Sequence, residues 1–153
     1  MAHTHPLSIH LEFTSSYDML DMLQVLTDHV CKQVGLDEDA LHWVSVAVRE
    51  AVANAVKHGN KGDATKKVFV AYDGTFDRLP ELTVTVRDQG EGFDPEEVAD
   101  PLAPENLLKG SGRGIFLIRS FMDEMTLRRA AEGGMEMRMV KRAQPAPAAD
   151  NPA

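Results

Sequence analysis

The sequence predicts an α/β sandwich, with one mixed, mostly antiparallel sheet carrying its helices on a single face. Three observations predict it. Segments of period-2 and period-3.6 hydrophobicity follow one another in the order βα, α, ββ, α, ββ. No internal repeat interrupts that order. The chain of 153 residues is long enough for one proper core and too short for two large domains.

The first strand is Leu7 to Phe13, where Leu7, Ile9, Leu11 and Phe13 alternate with Ser8, His10 and Glu12. Ser15 then stands at capping-box spacing before Asp18. Met19, Leu20, Leu23, Leu26, Val30 and Val34 recur at helical steps until Gly35 offers a C-terminal cap. Asp37 opens a second helix that runs to His58, with Gly59 and Gly62 as stops. Leu41, Val44, Val48, Ala51, Val52 and Ala55 make its buried stripe. On its other side Glu50 and Asn54 stack one turn apart, flanked by Trp43, Val46 and Ala47, as a pocket wall would be.

Lys67 to Asp73 and Glu81 to Asp88 alternate in period 2 around a turn containing Gly, Asp and Pro, and so read as an antiparallel hairpin. From Gln89 to Gly112 the pattern gives way to Gly, Pro, Asp and Glu. A loop longer than about 15 residues is usually functional or disordered, and a nucleotide lid is one candidate. Ile115, Ile118, Phe121, Met122 and Met125 form a third helix. A closing hairpin, Thr126 to Ala130 and Met135 to Arg142, flanks Gly133-Gly134. The chain thus divides into a flexible start over 1–6, one domain over 7–142 with its lid at about 94–112, and a disordered Pro/Ala-rich tail over 143–153.

Composition narrows the function. Lys and Arg number 16 against 24 Asp and Glu, a formal net charge of −8, which repels a phosphate backbone and argues against nucleic acid. No window reaches the roughly 20 apolar residues of a membrane span, and the start lacks the basic-then-apolar pattern of a secretory signal. With the single Cys31, this points to the cytoplasm.

Three segments carry possible chemistry. Gly110 to Ile115, GSGRGI, has neither the G-x-G-x-x-G dinucleotide fingerprint nor the Gly-Lys-Ser/Thr ending of a P-loop. Glycines at a helix start nevertheless free backbone N–H groups for an anion, and Lys109 and Arg113 add charged donors. Asp88-x-Gly90-x-Gly92 ends a strand. There a carboxylate can accept from an exocyclic amine and glycines let a flat ring approach. It is not a calcium loop, because the twelfth position is Ala99 where an EF-hand needs Glu. Glu50 and Asn54 can serve as a general base and a magnesium-ligating carbonyl, with Lys57 and His58 one turn on. Each piece alone also has a plain structural reading as a solvated face, a cap or a loop. Cys31 has no visible base beside it, and His3, His5 and His10 lack the paired spacing of metal ligands.

Together and in this order, Glu50-x-x-x-Asn54, Asp88-x-Gly90-x-Gly92 and Gly110-x-Gly112-x-Gly114 resemble the Bergerat-fold (GHKL) ATPases. EAVANAVKHGN and GRGIFLIRSFMDEM are similar to the small anti-sigma-factor serine kinases of bacterial stress and sporulation switches. The resemblance spans roughly Leu7 to Arg142. It implies ATP and Mg²⁺ as cofactors, Glu50 as the base that activates a partner's serine hydroxyl, and Asn54 as the Mg²⁺ ligand. It further implies Asp88 as acceptor for the adenine amine, Gly90 and Gly92 shaping the purine pocket, and Gly110, Gly112, Arg113 and Gly114 lining the phosphates. Lys57, Lys109 and Arg113 are where positive potential is expected, with His58 also at the nucleotide. A homodimer, a sigma factor and a STAS-domain anti-anti-sigma factor are the implied partners. One position departs from the pattern: related sequences commonly carry Thr after the glycine of the last hairpin, and here it is Met135, a weak acceptor that cannot donate. Met135, Met137 and Met139 also read simply as core filler on the inner face.

The function that follows is an ATP-dependent serine protein kinase that also sequesters a sigma factor. The alternative is a nucleotide-binding partner-switching module without phosphotransfer. A histidine kinase catalytic domain conflicts with the length, since His29 and His42 lie inside helices already assigned to this one domain.

Overall fold

The computed structural model describes residues 6–76, 79–92 and 110–144. Five strands, β1 (Leu7–Thr14), β2 (Lys67–Thr75), β3 (Glu81–Arg87), β4 (Glu124–Arg129) and β5 (Met135–Arg142), form one sheet in the order β1-β2-β3-β5-β4. The helices are α1 (Leu20–Val34), α2 (Glu38–Asn54) and α3 (Gly110–Phe121). Layer and class match the sequence expectation, but the sheet is not mixed: all four described pairings are antiparallel. The connections explain why. Two helices between β1 and β2 return the chain antiparallel. β3 and β4 run the same way, each antiparallel to β5, which lies between them, and the described helix α3 lies in the connection that joins them.

Local chemistry sets the boundaries. β1 runs one residue past Phe13, and Ser15 still donates its N–H to the Lys66 carbonyl at 2.9 Å. The chain therefore leaves the sheet later than expected, and the cap is Ser16, not Ser15. Ser16 Oγ accepts from Asp18 N at 3.1 Å and opens a single 3₁₀ turn over Tyr17–Met19 before α1. Gly35 ends α1 at φ 93°, a left-handed conformation that suits glycine. Asp37 caps α2 by accepting from Ala40 N at 2.7 Å. The second helix does not stay α-helical to His58. It ends at Asn54 and closes in a π-helical turn over Ala55–Gly59, where Asn60 N reaches back five residues to the Ala55 carbonyl at 2.8 Å. α3 starts at Gly110, so 110–112 of the expected lid form its first turn. Residues 94–109 and 145–153 lie outside the described residues, as do His3 and His5.

One face of the sheet is apolar and lies under the helices. Val68, Val70 and Tyr72 of β2, Leu82, Val84 and Val86 of β3, and Met137 and Met139 of β5 pack with Leu23, Val30 and Val34 of α1, with Val44, Val48 and Val52 of α2, and with Ile118 of α3. One buried polar link crosses the layers. Thr27 Oγ1 donates to the Leu23 carbonyl at 2.6 Å, which leaves the Tyr72 hydroxyl to donate to Thr27 at 2.8 Å. The other face is polar. There Arg142 bridges Glu81 at 2.9 Å and Glu124 at 2.5 Å, Arg128 pairs with Glu136, and Arg87 lies 4.0 Å over the Phe69 ring. α2 lies between α1 and α3. It is tied to α1 by Ser45 Oγ donating to Asp28 at 2.5 Å, and to α3 by a stack of Trp43 on Phe121, ring centroids 3.5 Å apart. That placement turns Glu50 and Asn54 toward α3.

Candidate active site

Glu50 and Asn54 are both half-buried on α2, one turn apart. Facing them is Gly114 in α3. A Cβ there would stand 2.8 Å from Glu50 Oε2 and 3.3 Å from Asn54 Nδ2, so only a glycine lets the two helices meet without displacing the carboxylate. The first turn of α3, residues 110–113, carries backbone N–H groups with no partner inside the helix. They lie at the positive end of its dipole, in the turn that leads to Gly114. Among the described residues, neither Glu50 nor Asn54 spends its side chain on a hydrogen bond or ion pair. Gly110 and Gly112 belong to that turn with Gly114; for 110–113, Arg113 included, only the backbone is described, and Lys109 lies outside the described residues.

A second cluster surrounds Asp88, which is 5% exposed. It follows β3. Its N–H donates to the Met135 carbonyl at 3.0 Å, and its Oδ1 accepts from Gly90 N at 2.9 Å and Met135 N at 3.1 Å. Three glycines make room for it. A Cβ on Gly59 would fall 2.0 Å from Asp88 Oδ2, and one on Gly134 would fall 2.1 Å from the Asp88 carbonyl oxygen. One on Gly90 would fall 2.0 Å from the Gly59 carbonyl oxygen. Gly90 thus serves close backbone packing around the carboxylate rather than an open wall. A Cβ on Gly92, at φ 73°, would meet Arg129 Nε, Gly134 O and Met135 Sδ at ordinary contact distances. Met135 is buried but stands apart from the main core that holds Met137 and Met139, with its sulfur beside Gly92.

The π turn joins the clusters. It leaves directly from Asn54, exposes Lys57 and His58, and ends at Gly59 against Asp88. The structure therefore brings Glu50, Asn54 and Gly114 together, and separately Asp88, Gly90, Gly92 and Met135, with Lys57 and His58 on the link. Sequence reasoning missed Gly59 and Gly134 as seats for Asp88, and missed the wholly buried Asn60. Each looked like loop punctuation, and no local pattern distinguishes a turn glycine from one that admits a carboxylate.

The donors fit a hard divalent cation held jointly with phosphate. A carboxylate and an amide lie together, half-exposed and unspent, and among the described residues no three His, Cys, Asp or Glu gather into a protein-only cage. Among the described residues no helix is long and apolar enough to cross a membrane.

Comparison with known proteins agrees with this geometry. The family model for the histidine kinase-like ATPase domain matches residues 14–141. The serine-protein kinase RsbW of Staphylococcus epidermidis is 31% identical over 139 residues, covering 87% of this chain and 85% of its own. RsbW of Staphylococcus aureus strain JH9 is 30% identical over 140 residues with the same coverage. A two-layer sandwich, an Asn-bearing helix facing a glycine-rich one, and a buried Asp at a strand end fit these matches, and the chain belongs to the histidine kinase-like (GHKL, Bergerat-fold) ATPases, in the group of small serine-protein kinases.

Proposed function

We propose that this protein is a cytoplasmic, ATP-dependent serine kinase that phosphorylates a STAS-domain anti-anti-sigma factor and sequesters a sigma factor, acting as a homodimer. The observation that carries the kinase reading is the meeting of Glu50 and Asn54, two unspent oxygen-bearing side chains, with Gly114 in the glycine-rich start of α3. The partners rest on family likeness to serine-protein kinases named RsbW.

In this reading Asp88 accepts from the adenine amine, while Gly90 and Gly92 let the chain fold tightly around the base. Gly110, Gly112 and Gly114 present backbone N–H groups to the phosphates, with Lys57, His58, Lys109 and Arg113 adding positive charge. Asn54 holds Mg²⁺, whose contribution when bound is to neutralise charge on the transferring phosphoryl group. Glu50 takes the proton from the incoming serine hydroxyl, and its place on a helix rather than a loop limits its movement.

The test is transfer of labelled γ-phosphate from ATP to a STAS-domain partner. Glu50→Ala is expected to lower the rate by roughly 10²–10⁴-fold while ATP binding persists. Equal transfer by wild type and variant would overturn the assignment of the base. Nucleotide-dependent partner binding with no phosphorylated product, even in wild type, would select the binding-module alternative.

A further inference from the structure

Asn60 is wholly buried and spends every polar atom. Its N–H closes the π turn on Ala55, and its carbonyl accepts from Asp63 N at 3.0 Å. Its Nδ2 donates to the Lys67 carbonyl at 3.0 Å, and its Oδ1 accepts from Gln89 N at 2.8 Å. Gln89 completes a clasp, its Oε1 accepting from Lys67 N at 2.8 Å. Three segments are tied here: the end of the long helix, the start of β2 and the end of β3.

The location matters more than the count of bonds. The residue before Asn60 is Gly59, whose Cα lies directly against Asp88 Oδ2, and its hydrogen-bond partner Gln89 follows Asp88 in the chain. Two backbone N–H groups occupy Oδ1, so Oδ2 is the oxygen left to receive a donor from a ligand. Its direction is set by the wall at Gly59 and by the peptide at Gln89, and Asn60 is tied to both, to Gly59 through the backbone and to Gln89 through its side chain. Hydrogen bonds weaken steeply with misalignment, so a carboxylate free to swing loses its selectivity for an amine before the protein loses its fold.

We infer that Asn60 is a positioning residue for base recognition, aiming Asp88 Oδ2 at the exocyclic amine of a purine. This rests on the reading of Asp88 as the base acceptor, and the experiment separates the two. Affinities for Mg-ATP and Mg-ITP are measured by titration calorimetry on the full chain; ITP carries a carbonyl where ATP carries the amine. Wild type is expected to prefer ATP by about ten- to a hundredfold, the worth of one hydrogen bond to a charged group. Asn60→Ala is expected to cut that preference by roughly tenfold through the ATP arm. A general loss of packing would weaken both nucleotides alike and leave the ratio intact.

A folded Asn60→Ala protein with an undiminished ratio overturns the proposal. If that variant does not fold, Asn60→Ser, whose hydroxyl is too short to hold both the Lys67 carbonyl and Gln89 N, decides instead: a fall in the ratio supports the proposal and an unchanged ratio overturns it. Asp88→Asn keeps Oδ1 for its two backbone donors. Loss of preference there beside an intact ratio in Asn60→Ala overturns the positioning role alone, whereas an intact ratio in Asp88→Asn overturns the base reading and the proposal with it.

Discussion

Two glycines show how one missing methyl group can serve stability or chemistry. Gly134 has φ 83°, and a Cβ there would fall 2.1 Å from the Asp88 carbonyl oxygen, a backbone atom that cannot move aside alone. Gly134→Ala is expected to cost at least about 2 kcal/mol in urea unfolding, from overpacking plus an unfavourable backbone region, and to abolish nucleotide binding. Gly114 differs because the atom a Cβ meets is the end of the Glu50 side chain, which can rotate away. Gly114→Ala is expected to leave stability unchanged or raise it by up to about 1 kcal/mol, through helix propensity. Phosphotransfer should fall about a hundredfold, the scale for a group displaced by an ångström. A variant that is both unstable and inactive would show that Glu50 cannot move. The sequence marked Gly114 as a glycine at a helix start and Gly134 as a turn, but not this difference, which depends on what lies across the gap.

Among the elements, α2 and α3 form the hinge of the site. They run antiparallel, touching at Trp43 with Phe121 and again at Glu50 and Asn54 with Gly114. Seven residues separate the two contacts on each helix, about 10 Å at 1.5 Å per residue, so the aromatic stack sets where the first turn of α3 meets the carboxylate. Lys141 Nζ fixes the far end of α3 by donating to the Phe121 carbonyl at 2.7 Å. Trp43→Ala is expected to lower stability by about 2–3 kcal/mol, below the range for a fully buried aromatic because Trp43 is half-buried. Thermal unfolding followed by circular dichroism would measure it, and a loss under 1 kcal/mol would show that the stack holds nothing. Hydrophobic period made both helices legible, yet it assigned Trp43 only to the neighbourhood of Glu50. The stack needs Phe121, which lies far along the chain.

For the whole molecule, two buried weak acids shape its response to alkali. Burial, reinforced by the negative charge of Asp28, pushes the Cys31 thiol up from 9.0 to about 12. Burial also pushes the Tyr72 phenol up from 10.0 to about 12. The folded protein therefore holds these protons more tightly than the unfolded chain. Stability from them is complete below about pH 9 and is lost as pH rises toward 12. Urea midpoints are expected to fall across that window, less steeply in Cys31→Ala, and no such difference in slope should appear between pH 6 and 8. The same burial should protect Cys31 from alkylation at neutral pH until the protein unfolds.

Much of the fold was legible because helices, strands and their order are written in local periods. The candidate groups could be proposed from the sequence because Glu50, Asn54, Asp88 and the glycines stand at short, fixed spacings. By itself the sequence determined an acidic chain, the order of its main elements and the residue types available for the proposed nucleotide chemistry. Only the tertiary structure decided that every described pairing is antiparallel, that the long helix ends in a π turn, and that Gly59 and Gly134 seat Asp88. It alone disclosed Asn60, bound to a residue 29 positions away, and set Met135 against Asp88 across 47 positions. Such contacts arise when separate segments close on one core, and no local pattern records which segments will meet.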